Sequence, residues 1–487
     1  MPNQLLRTVA STLTDSPHPY LTGAWTPVFE EFDADDLEVE GEIPRDLEGI
    51  YIRNTENPVH EPLGVYHPFD GDGMLHAMSF RDGKASYVNR FVRTQGFLAE
   101  QEAGRALWAG IAAFKTPSER PGWGAHGGLK DSSSTDVVVH AGHVLSTFYQ
   151  CGDGYRLDPR SLDTVGTAPW VPDDGISAHP KVDEATGELL FFNYSKRSPY
   201  LHYGVVSADD QLEHYIPVPL PGPRLPHDMA FTKNYAILAD LPMFWDAKGL
   251  AAGVHVARFH RDLPTRFAVV PRRGEPDAIR WFEADPTYVL HWTNAWEEGQ
   301  EIVLEGYFQE NPDPDALPGY PKGLDRLMAY LDQHSFRPRL HRWRFDLVTG
   351  HTREERLDER TLEFGTINQR FAGRKHHFTY STTAKPGWFL FTGLVKHDAQ
   401  TGQSQSITFG PDRFGSEARF APRPGATEED DGYLVSFVTD LRENCSECVI
   451  FDARSLADGP IARIRLPHRI SSGTHATWAS WDQVERP

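Results

Sequence analysis

The sequence predicts an all-β protein made of short antiparallel meanders set around an axis, the β-propeller class. Three observations carry this. Segments rich in β-branched and aromatic residues recur along the whole chain, each bounded by Gly, Asp, Asn or Pro. Few strong helical stretches separate them, whereas a parallel α/β sheet needs a helix after nearly every strand. Asp-rich turns of one kind recur (LDPRSLDTVG, VDEATGEL, FDLVTGHT), each joining two strand-like runs. Seven blades of about 45 residues would use roughly two-thirds of such a chain, but no sharp repeat fixes the blade number.

In chain order, residues 1–28 read as an N-terminal extension and 29–487 as a single domain, since no linker interrupts the pattern. The first twenty residues hold no apolar core of a secretory leader. Ser86–Thr94 is the first clear strand, and Asp136–Gln150 reads as a hairpin turning at Ala141-Gly142. Leu189–Ser195, Asn234–Asp240, Phe267–Arg272, Glu301–Phe308, Leu340–Leu347 and Gly432–Thr439 continue the series. Two helices are expected. Gly96–Gly110 has good helix formers around Gly104, and Gly323–Gln333 places Leu324, Leu327, Met328 and Leu331 on one apolar face, expected to pack on the body.

Composition narrows the partners. Forty-eight basic against 69 acidic residues leave a net charge of −21, which repels nucleic acid and anionic membrane surfaces. No run of 18 apolar residues marks a membrane span. The most apolar loop, residues 242–259, is interrupted by Asp246, Lys248 and His255, so no stable membrane insertion is expected. Three cysteines are too few for a disulfide scaffold and fit a reducing cytoplasm. Cys445 and Cys448 form a lone C-x-x-C followed directly by a strand, which reads as a turn pair without function. DGDGMLHAM lacks the glycine spacing and lysine of a phosphate loop.

With 22 histidines, one alone says little. Four sit in apolar or turn-rich settings beside strands: His179, His227, His291 and His475, spaced by 48, 64 and 184 residues. Helical metal sites use close pairs; a dispersed set suits an axial site toward which many strands point. Imidazole donors suit several transition metals.

The blocks EIPRDLEGIYIRNTENP, DGDGMLHAMSF, SAHPKVDEATGELLFF, LPHDMAFT, HWTNAWEEG and GTHATW resemble, in order, those of the carotenoid cleavage oxygenase family, and within it the branch acting on aromatic alkenes. The resemblance implies a seven-bladed propeller capped by loops and helices, with one Fe(II) held by His179, His227, His291 and His475. It implies cleavage of an alkene by O2 to carbonyl products, with no NAD(P)H, flavin, 2-oxoglutarate or ascorbate required. Glu363 and Glu417 match carboxylates that orient ligands, expected behind His291 and His475. The third such position holds Gln150, expected behind His227 with its charge missing. Where stilbene-cleaving members place a lysine against the substrate phenol, this chain has Tyr149, and Lys130 is the candidate substitute. The substrate expected is a 4-hydroxyphenyl alkene; an apocarotenoid, or a metal-free propeller scaffold, are the alternatives.

Overall fold

Seven antiparallel sheets carry the computed structural model, which describes residues 4–111, 113, 116–122, 128–245, 257–310, 312, 337–384 and 389–485. Each blade runs outward from a strand near the axis. Blade one orders Gly473–Ala479, Gly49–Asn57, Asp72–Arg81 and Lys84–Phe91, with Glu30–Ala34 and Gln4–Thr8 added outside. Blade two holds Asp136–His140, His143–Thr147, Tyr155–Leu157 and Thr164–Thr167. Blades three, four and five begin at Lys181–Val182, Ala230–Phe231 and Trp292–Glu298, and end at Leu212–Pro217, Arg280–Ala284 and Thr352–Arg356. Blade six runs from Leu362–Thr366 to Ser404–Thr408. Blade seven runs from Arg419–Pro422 to Pro460–Arg465, joined to blade six through Arg413–Gly415.

The two chain ends seal the ring. The C-terminal strand Gly473–Ala479 pairs antiparallel with Gly49–Asn57, and the N-terminal strand Val39–Gly41 pairs with Pro460–Arg465 of blade seven. Backbone pairing at the seam replaces two exposed sheet edges.

Facing sheets explain the sequence texture. Every residue of Gly49–Asn57 and Gly432–Asp440 is buried, because a blade packs on neighbours through both faces. Tyr51, Met78 and Tyr87 of blade one meet Val435, Phe437 and Ile450 of blade seven; Ile237 and Phe267 of blade four meet Leu304 and Trp343 of blade five. Each such aliphatic or aromatic side chain contributes about 1.5–3 kcal/mol of burial, so the blades hold together mainly through apolar contact.

The strand readings hold closely: Glu301–Phe308 is a strand over the same residues, and Ala141 and Gly142 both have positive φ (47° and 73°), as a two-residue hairpin turn needs. The helix expected over Gly96–Gly110 is shorter, Gln95–Ala103, and this corrects its extent. Thr94 caps its start, and Gly104 at φ 65° ends it in the left-handed conformation. The helix expected over Gly323–Gln333 and residues 246–256 of the apolar loop lie outside the described residues. Within the segment read as an N-terminal extension, Tyr20 and Trp25 are buried beside Phe364, Phe389 and Phe391. Among the described residues no helix is long and apolar enough to cross a membrane.

Candidate metal centre

The innermost strands bring one acid or histidine each to the axis. His475 lies on the inner strand of blade one and Asp136 starts that of blade two. His179, His227 and His291 stand just before the inner strands of blades three, four and five. Glu363 is on the inner strand of blade six, and Glu417 precedes that of blade seven. Residues scattered over three hundred positions of sequence thereby become neighbours through the ring alone.

One ring nitrogen from each of His179, His227, His291 and His475 lies within 4.8 Å of the others. Donors about 2.1 Å from a shared ion stand about 3–4.2 Å apart, so a small inward shift of the rings brings the set to the size one ion needs. His179 Nε2 and His227 Nε2 face each other at 3.2 Å, and His291 Nε2 is buried without a hydrogen-bond partner. Lone pairs held so close repel unless a proton or a cation lies between them. Burial, and then the neighbouring imidazoles and Lys181, push His179 and His227 well below the ordinary histidine range. Both rings are thus neutral at physiological pH, the form that binds a metal.

Carboxylates hold the rings from behind. Glu363 Oε2 accepts from His291 Nδ1 at 2.6 Å and also from the Phe364 N–H at 2.7 Å. A carboxylate only accepts, so His291 carries its proton on Nδ1 and turns the Nε2 lone pair inward. Glu417 Oε2 lies 3.4 Å from His475 Nδ1 and accepts from the Ala476 N–H at 2.7 Å. Burial opposes ionisation of Glu417, but Arg419 and His475 together bring it down to about 2. For His475 the cost of burial is outweighed by Glu417, and its ring is raised above the usual value. Phe364 stacks on His291 at 4.9 Å and meets His475 edge-on.

The sequence reading missed Asp136. Its Oδ2 accepts the His179 N–H at 3.0 Å and stands 3.5 Å from His179 Nδ1. His179 has φ 66°, a left-handed conformation that costs a non-glycine residue about 1–2 kcal/mol. The Asp136 contact holds it there. Asp228 was missed too: it accepts from Lys181 Nζ (2.7 Å) and from the Trp292 N–H (2.9 Å), tying blades three, four and five beside their histidines. The available signal was positional, an acid at the start of an inner strand or next to a histidine.

Among the described hydrogen bonds none joins Gln150 to His227. The strand stops at Thr147, and Phe148–Cys151 form a turn, with Cys151 N–H donating to Phe148 O at 3.0 Å. Tyr149, in that turn, packs with Phe148, Phe69 and Ala178, the residue before His179. Its hydroxyl is buried without a well-formed hydrogen bond, the Gln150 side chain being within reach. Lys130 is corrected more firmly. Its ammonium is clamped between Asp72 (2.8 Å) and Glu100 (2.7 Å), so its charge is already paired within the protein. Cys445 and Cys448 are three apart on one strand, Cys445–Asp452, and so face opposite sides; both are free.

A polar channel of about 1090 Å³, counted to its open mouth, leads along the axis to the histidines. The residues that follow the ligands line it: Lys181, Asp228, Asn294 and Thr477 among them, with Asp136. Ala178 and Thr474, the residues before two of the ligands, are not among those that line it.

Fold and site together define a propeller with a four-histidine group of the size and chemistry that holds a metal ion. Residues 25–480 match the family described as retinal pigment epithelial membrane protein (RPE65). The chain belongs to this RPE65/carotenoid cleavage oxygenase family. It is 34% identical to a carotenoid 9,10(9′,10′)-cleavage dioxygenase of Phaseolus vulgaris, over 96% of this chain and 91% of that one. It is 32% identical to an isoeugenol monooxygenase of Pseudomonas putida, over 96% and 99%. The crystal structure of Pseudomonas brassicacearum lignostilbene dioxygenase superposes with a TM-score of 0.84 at 28% identity, covering 96% and 100%. The chain is accordingly an oxidoreductase that cleaves carbon–carbon double bonds, folded as a seven-bladed propeller.

Proposed function

We propose that the chain is a non-haem iron(II) oxygenase that splits the double bond of a 4-hydroxyphenyl alkene, of stilbene, isoeugenol or vinylphenol type, with O2 to give carbonyl products. The observation that carries the metal reading is the four-histidine cluster with carboxylates on the outer nitrogens of two of its rings. A ferrous ion held by His179, His227, His291 and His475 would supply O2 activation, its positive charge left uncompensated by four neutral ligands.

The chain's own residues prepare that site. Glu363 and Glu417 fix ring orientation, Asp136 holds the His179 backbone, and Phe364 shields two rings from water. The alkene itself supplies electrons, so no reducing cosubstrate is needed. Free, buried cysteines support a cytoplasmic setting, and residues 29–487 are read as one functional domain.

For the substrate, support comes from the isoeugenol and lignostilbene relatives, matched over 99% and 100% of their lengths, and from Tyr149 beside the ligand-bearing strand. The second reading, an apocarotenoid, is favoured by the 34% identity to a plant carotenoid dioxygenase. Aerobic turnover of isoeugenol, 4-vinylguaiacol, a hydroxystilbene and an apocarotenal, with products weighed by mass spectrometry, separates them. Two carbonyl fragments from the phenolic alkenes are expected. Cleavage of the apocarotenal alone would overturn the phenolic reading.

A further inference from the structure

Glu56 is an enclosed carboxylic acid near Thr474, the residue before His475. It lies on Gly49–Asn57 in blade one, is 3% exposed, and neither of its oxygens makes a well-formed hydrogen bond. Two polar groups near it have hydrogen bonds to other partners. The Thr474 hydroxyl alongside it donates to Thr135 O at 2.8 Å, and Arg53 Nη2 donates to Ser471 O at 2.7 Å. Tyr66 and Tyr149 are close enough to feel its charge, and the Tyr149 hydroxyl is likewise buried without a well-formed partner.

The place matters. Thr474 precedes His475 and Ala178, packed on Tyr149, precedes His179. The axial channel is lined by the residues after the ligands, and neither Glu56 nor Tyr149 is among its lining residues. Phe69 and Phe148 pack against Tyr149, and Tyr66 belongs to the aromatic group that reaches Phe364 on His291. An aromatic surround thus contains the Glu56 carboxyl and the Tyr149 phenol, with Gln150 and Asp70 close to the latter. A buried polar group without a partner is destabilising, and native proteins keep few without a reason.

We propose that Glu56, together with Tyr149, is the specificity-determining site that recognises a hydroxyl group on the substrate, the phenol of a 4-hydroxyphenyl alkene. The assignment rests on the phenolic-alkene reading above. The substrate hydroxyl donates to, or accepts from, the Glu56 carboxyl, and the Tyr149 hydroxyl supplies the second hydrogen bond. Burial pushes Glu56 up to about 8, so near neutrality it is largely a neutral acid able to both donate and accept. A hydrocarbon or methyl ether entering the same space would leave the acid unsatisfied, which is how a site built to bind a hydroxyl rejects an analogue lacking it.

The test uses the iron-loaded protein, wild type against Glu56→Leu, Glu56→Met and Glu56→Gln, with isoeugenol and its 4-O-methyl ether as substrates. In parallel, calorimetry under anaerobic conditions measures the binding of 4-propylguaiacol, a phenol with no alkene to cleave. Loss of one hydrogen bond corresponds to about tenfold. The apolar variants should therefore lower kcat/KM for isoeugenol by about tenfold or more relative to the ether, chiefly through KM. They should weaken 4-propylguaiacol binding by a similar factor, with iron content unchanged, while Glu56→Gln retains most of the recognition. Two apolar variants and the binding measurement keep the test decisive if one of them folds poorly. Wild-type cleavage of isoeugenol with equal losses on both substrates, or no loss on either, overturns the assignment and leaves the phenolic reading standing; Glu56 would then be hydrated by ordinary water. Failure of the wild type to cleave or bind any phenol overturns both.

Discussion

Glu363 Oε2 stands 2.6 Å from Nδ1 of His291, and the other carboxylate oxygen is buried with no partner. The short contact makes Glu363 a dedicated support for one ring. Removing such a support typically costs about 10–100-fold in metal affinity. Glu363→Ala should weaken iron binding by that order in chelator competition, with Glu363→Gln between it and wild type. Equal affinity in all three would show the ring is held by packing alone.

Asp136 does a different job, because its main partner is the backbone of His179. Asp136→Ala removes the acceptor for a buried N–H at a left-handed residue and should cost about 1–3 kcal/mol of stability. Asp136→Asn keeps an oxygen there and should recover most of the Tm. Its iron affinity should still fall, since the charge beside His179 Nδ1 is gone. Unchanged Tm in Asp136→Ala would mean the strained residue needs no such hold.

The contrast between these two acids shows what the sequence made legible. The four histidines and Glu363 and Glu417 could be singled out because they lie in recognisable blocks, and strands such as Glu301–Phe308 were clear from β-branched residues between turns. Asp136 was not, since DVVVH reads only as the start of a strand. Its role arises when the ring closes and sets residue 136 against residue 179. Glu56 was hidden for a related reason: an acid in a run of polar residues looks solvated until both faces of its strand are covered. The ion pairs of Lys130 and the turn that carries Tyr149 and Gln150 were not legible, because contacts made by turns and loops depend on tertiary packing that no local pattern encodes.

Lys130 is therefore expected to matter for stability and not for substrate choice. Lys130→Met leaves Asp72 and Glu100 buried together without their cation, and breaking a buried ionic set in this way costs about 3–5 kcal/mol. A large fall in Tm is expected, with the ratio of isoeugenol to methyl-ether turnover unchanged at temperatures where the variant is folded. A changed ratio without a fall in Tm would return Lys130 to the substrate.

Glu56 also predicts a pH dependence of stability. Its carboxyl is raised to about 8 in the folded chain by burial, against about 4.3 when unfolded. The folded state holds the proton more tightly, so the stability tied to it is fully present below the unfolded value. That stability is lost as pH rises through 8. Glu56→Gln cannot ionise. The Tm difference, variant minus wild type, should be small near pH 5, grow up to about pH 8 and level off above it; a difference independent of pH would contradict the burial of an ionisable acid there.

The central claim is that His179, His227, His291 and His475 hold one iron. The direct measurement is iron per chain by elemental analysis after anaerobic Fe(II) loading and removal of excess, for wild type and the four single alanine variants, each checked for folding. About one iron per chain in wild type and most of it lost in every folded variant is the expected result. Less than about one-tenth of an iron in wild type, or full iron in any folded variant, would contradict the four-histidine site.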